Sequence, residues 1–146
     1  MMKFTEDMKI GVPHVDAQHR SLVEFVNKAS ELCASMPTKE EMQECLDFLG
    51  NYVVQHFKDE EEIQIECKYP RYPQHKEIHA EFVGTFQTLY AKFQKDGPTE
   101  ELANVLANQV ANWVFTHIKM EDIEVGKHYN KVKSEHLKTH AREKQI

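Results

Sequence analysis

The chain has 146 residues, the size of one domain, and 40% of them are hydrophobic, enough to bury a core. Its formal net charge of −6 argues against a nucleic-acid partner. No apolar stretch is long enough to span a bilayer, and the polar start Met1-Met2-Lys3-Phe4-Thr5-Glu6-Asp7 does not read as a signal peptide. The three cysteines, Cys33, Cys45 and Cys67, are an odd number without a Cys-x-x-Cys pair, so they read as reduced thiols of a cytoplasmic protein.

Pro13, Pro37, Pro70, Pro73 and Pro98 punctuate four long segments. The first, about residues 16–36, repeats apolar or small residues in steps of three and four: Val15, Leu22, Val26, Ala29, Cys33 and Met36, with His19 in phase. Asp16 is its expected N-cap and Pro37 its stop. The second, about residues 39–67, opens on a Thr38-x-x-Glu41 capping box. Its stripe is Met42, Cys45, Leu49, Tyr52/Val53, His56, Glu60 and Ile63. Tyr69-Pro70-Arg71-Tyr72-Pro73 is a tight connection. The third segment, about residues 74–94, carries His75, His79, Phe82, Phe86, Leu89 and Phe93 inward. Asp96-Gly97-Pro98 turns the chain, and Thr99 caps a fourth helix with Glu100 and Glu101 against its N-terminal dipole. Leu102, Val105/Leu106, Val110, Trp113 and His117 form its stripe. The pattern predicts an all-α fold of one domain over residues 1–146. The bundle occupies about 15–128, behind an N-terminal arm, with a C-terminal helical extension over about 129–146.

The histidines decide the chemistry. His56-x-x-x-Glu60 and His75-x-x-x-His79 each place two side chains on one helix face. His117-x-x-x-x-Asp122 is looser but keeps both near one side. With His19 these seven residues share phase with Leu22, Val26, Leu49, Phe82, Phe86 and Trp113, so they point into the core. Charged carboxylates there need partners. A pair of metal ions satisfies all seven, and imidazole with carboxylate suits iron, zinc, manganese or copper. His14, His128, His136 and His140 lie outside these segments and read as solvated or locally packed.

At these residues the chain resembles the bacterial hemerythrins, a family of non-haem di-iron oxygen-binding proteins. The resemblance runs from about Ile10 to Tyr129. Its marks are Gly11-Val12-Pro13, Val15-Asp16-Ala17-Gln18-His19-Arg20-Ser21-Leu22, His56-Phe57-x-x-Glu60-Glu61, Tyr69-Pro70, His75-x-x-x-His79-x-x-Phe82 and Trp113-x-x-x-His117-Ile118-x-x-x-Asp122. Two departures are Phe4, where many bacterial members have Trp, and Gln64, where Met is common. Gln64 is expected near the bundle surface or a helix contact.

The resemblance implies an up-down-up-down four-helix bundle. It implies that His75, His79 and His117 bind one iron, that His19 and His56 bind a second, and that Glu60 and Asp122 bridge the two beside an oxo or hydroxo group. One coordination position is then left open, on the second iron, for dioxygen or a small anion such as azide. Leu22, Phe57, Trp113 and Ile118 match the family's oxygen-pocket lining. The expected function is reversible oxygen binding, for transport, storage or supply to a recipient protein, and not enzyme catalysis. The alternatives are an oxygen or redox sensor, and a di-iron enzyme such as a peroxidase or an oxygen or nitric oxide reductase. The basic residues of the C-terminal extension, Lys131, Lys133, Lys138, Arg142 and Lys144, read as a solvated face.

Overall fold

Four long helices alternate in direction, joined by short turns. The structure, a computed structural model, describes residues 2–144 and their side chains as far as Lys138. α1 spans Pro13–Ala34, α2 Lys39–Glu66 and α3 Tyr72–Asp96. α4 runs on from Glu100 to Lys144, its α-helical winding interrupted by two π-helical segments. It is α-helical over Glu100–Asn104, π-helical over Val105–Val110, α-helical over Ala111–His117, π-helical over Ile118–Asp122 and α-helical over Ile123–Lys144. The residues at these junctions keep right-handed helical angles, so the chain does not turn there.

The caps follow the local chemistry. Thr38 Oγ1 accepts from the Glu41 amide at 3.1 Å, and the Thr38 amide donates to Glu41 Oε1 at 2.9 Å. Thr99 Oγ1 accepts from the Leu102 amide at 3.1 Å. α3 begins at Tyr72, with Pro73 in its first turn, where a missing N–H leaves no bond unmade.

α1 likewise starts earlier than its sequence suggests, at Pro13. Asp16 is therefore not the N-cap. Its carboxylate accepts from the amides of Ile10 at 2.7 Å and Gly11 at 3.2 Å and ties the N-terminal arm to the helix. The arm then lies against α4. Asn130 Nδ2 donates to the Ile10 carbonyl at 3.0 Å, and a Cβ added to Gly126 would stand only 2.1 Å from that same oxygen. Phe4 packs partly buried against the core, with the Arg20 guanidinium 5.3 Å above its ring.

One apolar cluster fills the bundle, drawing Leu22 and Val26 from α1, Leu49, Val53 and Phe57 from α2, Phe82 and Phe93 from α3, and Leu106, Val110 and Ile118 from α4. Two inward readings are corrected. Met36 is exposed, because the chain leaves α1 before it and adopts a left-handed φ of 49° there. In α2 the stripe passes through Gln64, which is fully buried, while Ile63 is only half-buried. Gln64 continues the four-residue step His56, Glu60, Gln64, so it is not at the surface. The C-terminal extension is helical, and Lys131, Lys133 and Lys138 are exposed. The side chains of His140, Arg142 and Lys144 lie outside the described residues. Among the described residues no helix is long and apolar enough to cross a membrane.

Candidate metal centre

All four helices contribute to one buried cluster. α1 supplies His19, α2 supplies His56 and Glu60, α3 supplies His75 and His79, and α4 supplies His117 and Asp122. Each of the seven is buried, with Glu60, Asp122 and His19 at 0% exposure. The expected residues are thus the ones the fold brings together, and every imidazole turns Nε2 toward a carboxylate.

The carboxylates divide the cluster into two halves. Glu60 aims Oε1 at Nε2 of His75 (2.7 Å) and His79 (3.8 Å), and Oε2 at Nε2 of His56 (3.3 Å) and His19 (3.6 Å). Asp122 aims Oδ1 at Nε2 of His117 (3.0 Å) and His75 (3.1 Å), and Oδ2 at Nε2 of His19 (2.9 Å). Each carboxylate therefore gives one oxygen to a three-histidine set and the other to a two-histidine set. Within the first set, His79 Nε2 lies 3.0 Å from His75 Nε2 and 3.1 Å from His117 Nε2. Nitrogens on adjacent octahedral positions of one metal, with bonds of about 2.1 Å, stand about 3.0 Å apart.

Protons alone serve this arrangement poorly. His19 Nε2, Glu60 Oε2 and both Asp122 carboxylate oxygens are buried without a well-formed hydrogen bond. Such orphaned polar atoms are costly. Burial pushes the Glu60 carboxyl up, as does the Asp122 charge, but His19, His56 and His75 hold it down to about 2. Asp122 is held well below the usual carboxylate range against burial, by His117, His19 and His75. Burial opposes charge on His19 and His75, yet Asp122 and Glu60 raise both to about 9. His79 falls to about 3, through burial first and despite Glu60, with His75 and His117 adding to the fall. Two cations would satisfy these atoms together, so the donor set fits a metal pair.

Residues 10–129 match the family model described as the hemerythrin HHE cation-binding domain. The chain belongs to the hemerythrin family. It is 30% identical to a bacteriohemerythrin of Stenotrophomonas maltophilia over 140 residues, covering 93% of this chain and 89% of that one. A bacteriohemerythrin of Methylococcus capsulatus is 32% identical over 111 residues, covering 76% and 82% respectively. A crystal structure of a hemerythrin leucine-to-alanine mutant superposes with a TM-score of 0.77 at 28% identity, over 88% of this chain and 97% of that one. Hemerythrins bind non-haem iron and dioxygen, and the chemistry of the His/Glu/Asp cluster fits such a metal site.

This hemerythrin also places two residues behind the imidazoles of the cluster that periodicity alone does not single out. Gln18 Oε1 stands 2.7 Å from His56 Nδ1, and Glu61 Oε2 stands 3.0 Å from His79 Nδ1. The signal for each is adjacency: Gln18 precedes His19, and Glu61 follows Glu60. Gln64 adds a buried amide one turn past Glu60, with Nε2 3.5 Å from Glu60 Oε1. Of the residues matched to a pocket lining, Phe57 stacks on His79 at 3.8 Å and Trp113 on His117 at 4.5 Å. Leu22 and Ile118 are buried in the same apolar cluster. Two of the outlying histidines have partners outside the seven-residue cluster. His14 meets Asp59 at 3.1 Å, and His128 Nε2 meets the Cys67 carbonyl at 2.8 Å.

Proposed function

We propose that this chain binds dioxygen reversibly at a pair of iron ions, as a carrier, store or supplier of oxygen rather than as an enzyme. One observation carries the reading: two carboxylates each face both halves of a site that has three histidines on one side and two on the other. Counting donors, His75, His79, His117, Glu60 and Asp122 surround one position, while His19, His56, Glu60 and Asp122 surround the other. The poorer half has room for an exogenous ligand.

When bound, the irons would supply the electrons that make oxygen uptake reversible. The protein does the rest. Glu60 and Asp122 would each offer one oxygen to either ion. The imidazoles supply neutral donors, so the site carries fewer negative charges than the carboxylate-rich centres of oxygen-activating bundles. Leu22, Phe57, Trp113 and Ile118 supply an apolar lining that keeps out water and offers no acid to drive O–O cleavage. The three cysteines, buried as free thiols, support a cytoplasmic placement. Small anions such as azide would compete for the open position.

The test is spectroscopic. Reduced, iron-loaded protein should gain a visible absorption on exposure to dioxygen and lose it when the oxygen is removed. Irreversible consumption of oxygen with substrate oxidation at enzyme-like rates would replace the carrier reading with the enzyme one.

A further inference from the structure

The ligands His56 and His79 differ in what stands behind them. His79 Nδ1 meets a carboxylate directly, Glu61 Oε2 at 3.0 Å. His56 Nδ1 meets an amide oxygen, Gln18 Oε1 at 2.7 Å, and that amide is anchored in turn. Gln18 Nε2 donates to Asp59 Oδ2 at 2.8 Å, and Asp59 Oδ1 accepts from Gln55 Nε2 at 2.8 Å. His14 Nε2 also lies 3.1 Å from Asp59 Oδ2. Gln18 is buried, and Asp59 stands at the edge of the bundle.

The direction of each bond follows from what each group can do. An ionised carboxylate only accepts. The Gln18 NH2 must therefore face Asp59, which leaves its oxygen facing His56. An amide oxygen only accepts too, so the proton belongs on His56 Nδ1. Nε2 is then the nitrogen left to meet a cation beside Glu60 Oε2. Asp59 thus sets the orientation of Gln18, and Gln18 sets the tautomer of His56.

We propose that Gln18, oriented by Asp59, is the positioning residue for the two-histidine half of the centre, locking the ring and tautomer of His56 so that this half fills. The proposal rests on the di-iron reading above. It predicts an asymmetric defect: losing Gln18 weakens the two-histidine position and spares the three-histidine one, whose outer partner is Glu61.

The experiment compares full-length wild type, Gln18→Met and the double exchange Gln18→Glu with Asp59→Asn. The double exchange keeps an acceptor toward His56 and a donor between the two positions, so it restores both bonds with reversed polarity. Gln18→Met should lower the affinity for the second metal by about 10- to 100-fold, the usual range for losing an outer partner of a ligating histidine. The first metal should bind as before. The double exchange should recover the second. A second readout is independent of iron: the exchange-protected Nδ1–H proton resonance of His56, recorded on zinc-loaded and on metal-free protein. It should be present in wild type and the double exchange and missing in Gln18→Met. Unchanged second-metal affinity together with a retained resonance in Gln18→Met would overturn the proposal. Should Gln18→Met not fold, Asp59→Leu frees the Gln18 amide to flip and is read the same way. A wild type that shows the resonance but takes up no pair of irons would sink the di-iron reading, and the filling role of Gln18 with it, leaving only the Gln18–His56 hydrogen bond.

Discussion

Asp122 follows His117 by five residues, yet its Oδ1 lies 3.0 Å from the His117 imidazole. Five residues of ordinary α-helix turn through ~500°, which would leave the two side chains ~140° apart. The π-helical winding of Ile118–Asp122 narrows that offset, since its bonds close from i to i+5 and each residue turns through less than in an α-helix. The local irregularity in α4 therefore lies where the ligand spacing requires it.

The acidic run in α2 offers a direct check of register. Asp59, Glu60, Glu61 and Glu62 carry equal charge, but only Glu60 has both oxygens in the centre. Glu60→Gln should release metal. Glu62→Gln should not, because Glu62 is exposed. Glu61→Gln keeps an acceptor for His79 and should change little, whereas Glu61→Ala should weaken metal binding by roughly 10-fold. Metal analysis after dialysis against a weak chelator reads all four. Equal loss in every variant would show that the register is wrong.

Stability of the metal-free protein should peak near pH 6.5. His19 and His75 are held up to about 9 from 6.5, so their contribution is full below 6.5 and is lost as the pH rises through about 9. His79 is depressed from 6.5 to about 3, so protonating the unfolded chain favours unfolding as the pH falls below 6.5. Glu60 is depressed from 4.5 to about 2, and its contribution is lost as the pH falls through that window. Thermal midpoints of chelator-treated protein across this range give the curve. Metal replaces the protons on His19 and His75, so uptake should release protons and tighten as the pH rises from 6.5 to 9. A metal affinity flat across that interval would contradict the arrangement.

Two glycines should respond in opposite directions. Gly126→Ala places a methyl 2.1 Å from the Ile10 carbonyl and should destabilise the fold by about 1–3 kcal/mol through overpacking. Gly84 lies within α3 with nothing within 4 Å of a would-be Cβ, so Gly84→Ala should stabilise by about 0.5–1 kcal/mol. Denaturant midpoints distinguish them, and a stabilised Gly126→Ala would show that the arm does not pack against α4.

The apolar lining can be probed at Leu22, which is 3% exposed. Leu22→Asn should admit water and accelerate loss of the oxygenated form, measured as the decay of its visible absorption in air. Leu22→Met keeps the volume and should leave that decay near the wild-type rate. Equal decay in the two variants would argue against a protective lining at this position.

Six of the seven residues of the centre are legible because they share helical phase with Leu22, Val26, Leu49, Phe82 and Phe86, and phase survives small errors in helix boundaries; Asp122, five residues past His117, reaches that face only through the π-helical winding. Boundaries themselves were less secure. Asp16 has the chemistry of an N-cap, but Pro13 can open a helix as well, and the carboxylate caps the arm instead. Gln64 stays open between the surface and a helix contact in the sequence because the apolar Ile63 beside it draws the stripe by one position, although the step from Glu60 favours Gln64. The π-helical segments leave no mark in composition. Gln18 and Glu61 could be named only as neighbours of ligands, since their roles depend on which atoms they face across helices.

The order of the ligands along the chain has a consequence for how the centre assembles during synthesis. His56, Glu60, His75 and His79 sit on an adjacent helix pair, α2 and α3, and can meet through a short loop closure. His19 comes earlier, but its close carboxylate partner, Asp122 at 2.9 Å, is the last of the seven to leave the ribosome. A nascent chain therefore holds an incomplete cradle until α4 emerges, and an ion captured before then would lack the second bridge. On the di-iron reading, metal insertion is expected to follow release of α4 rather than folding of the first three helices.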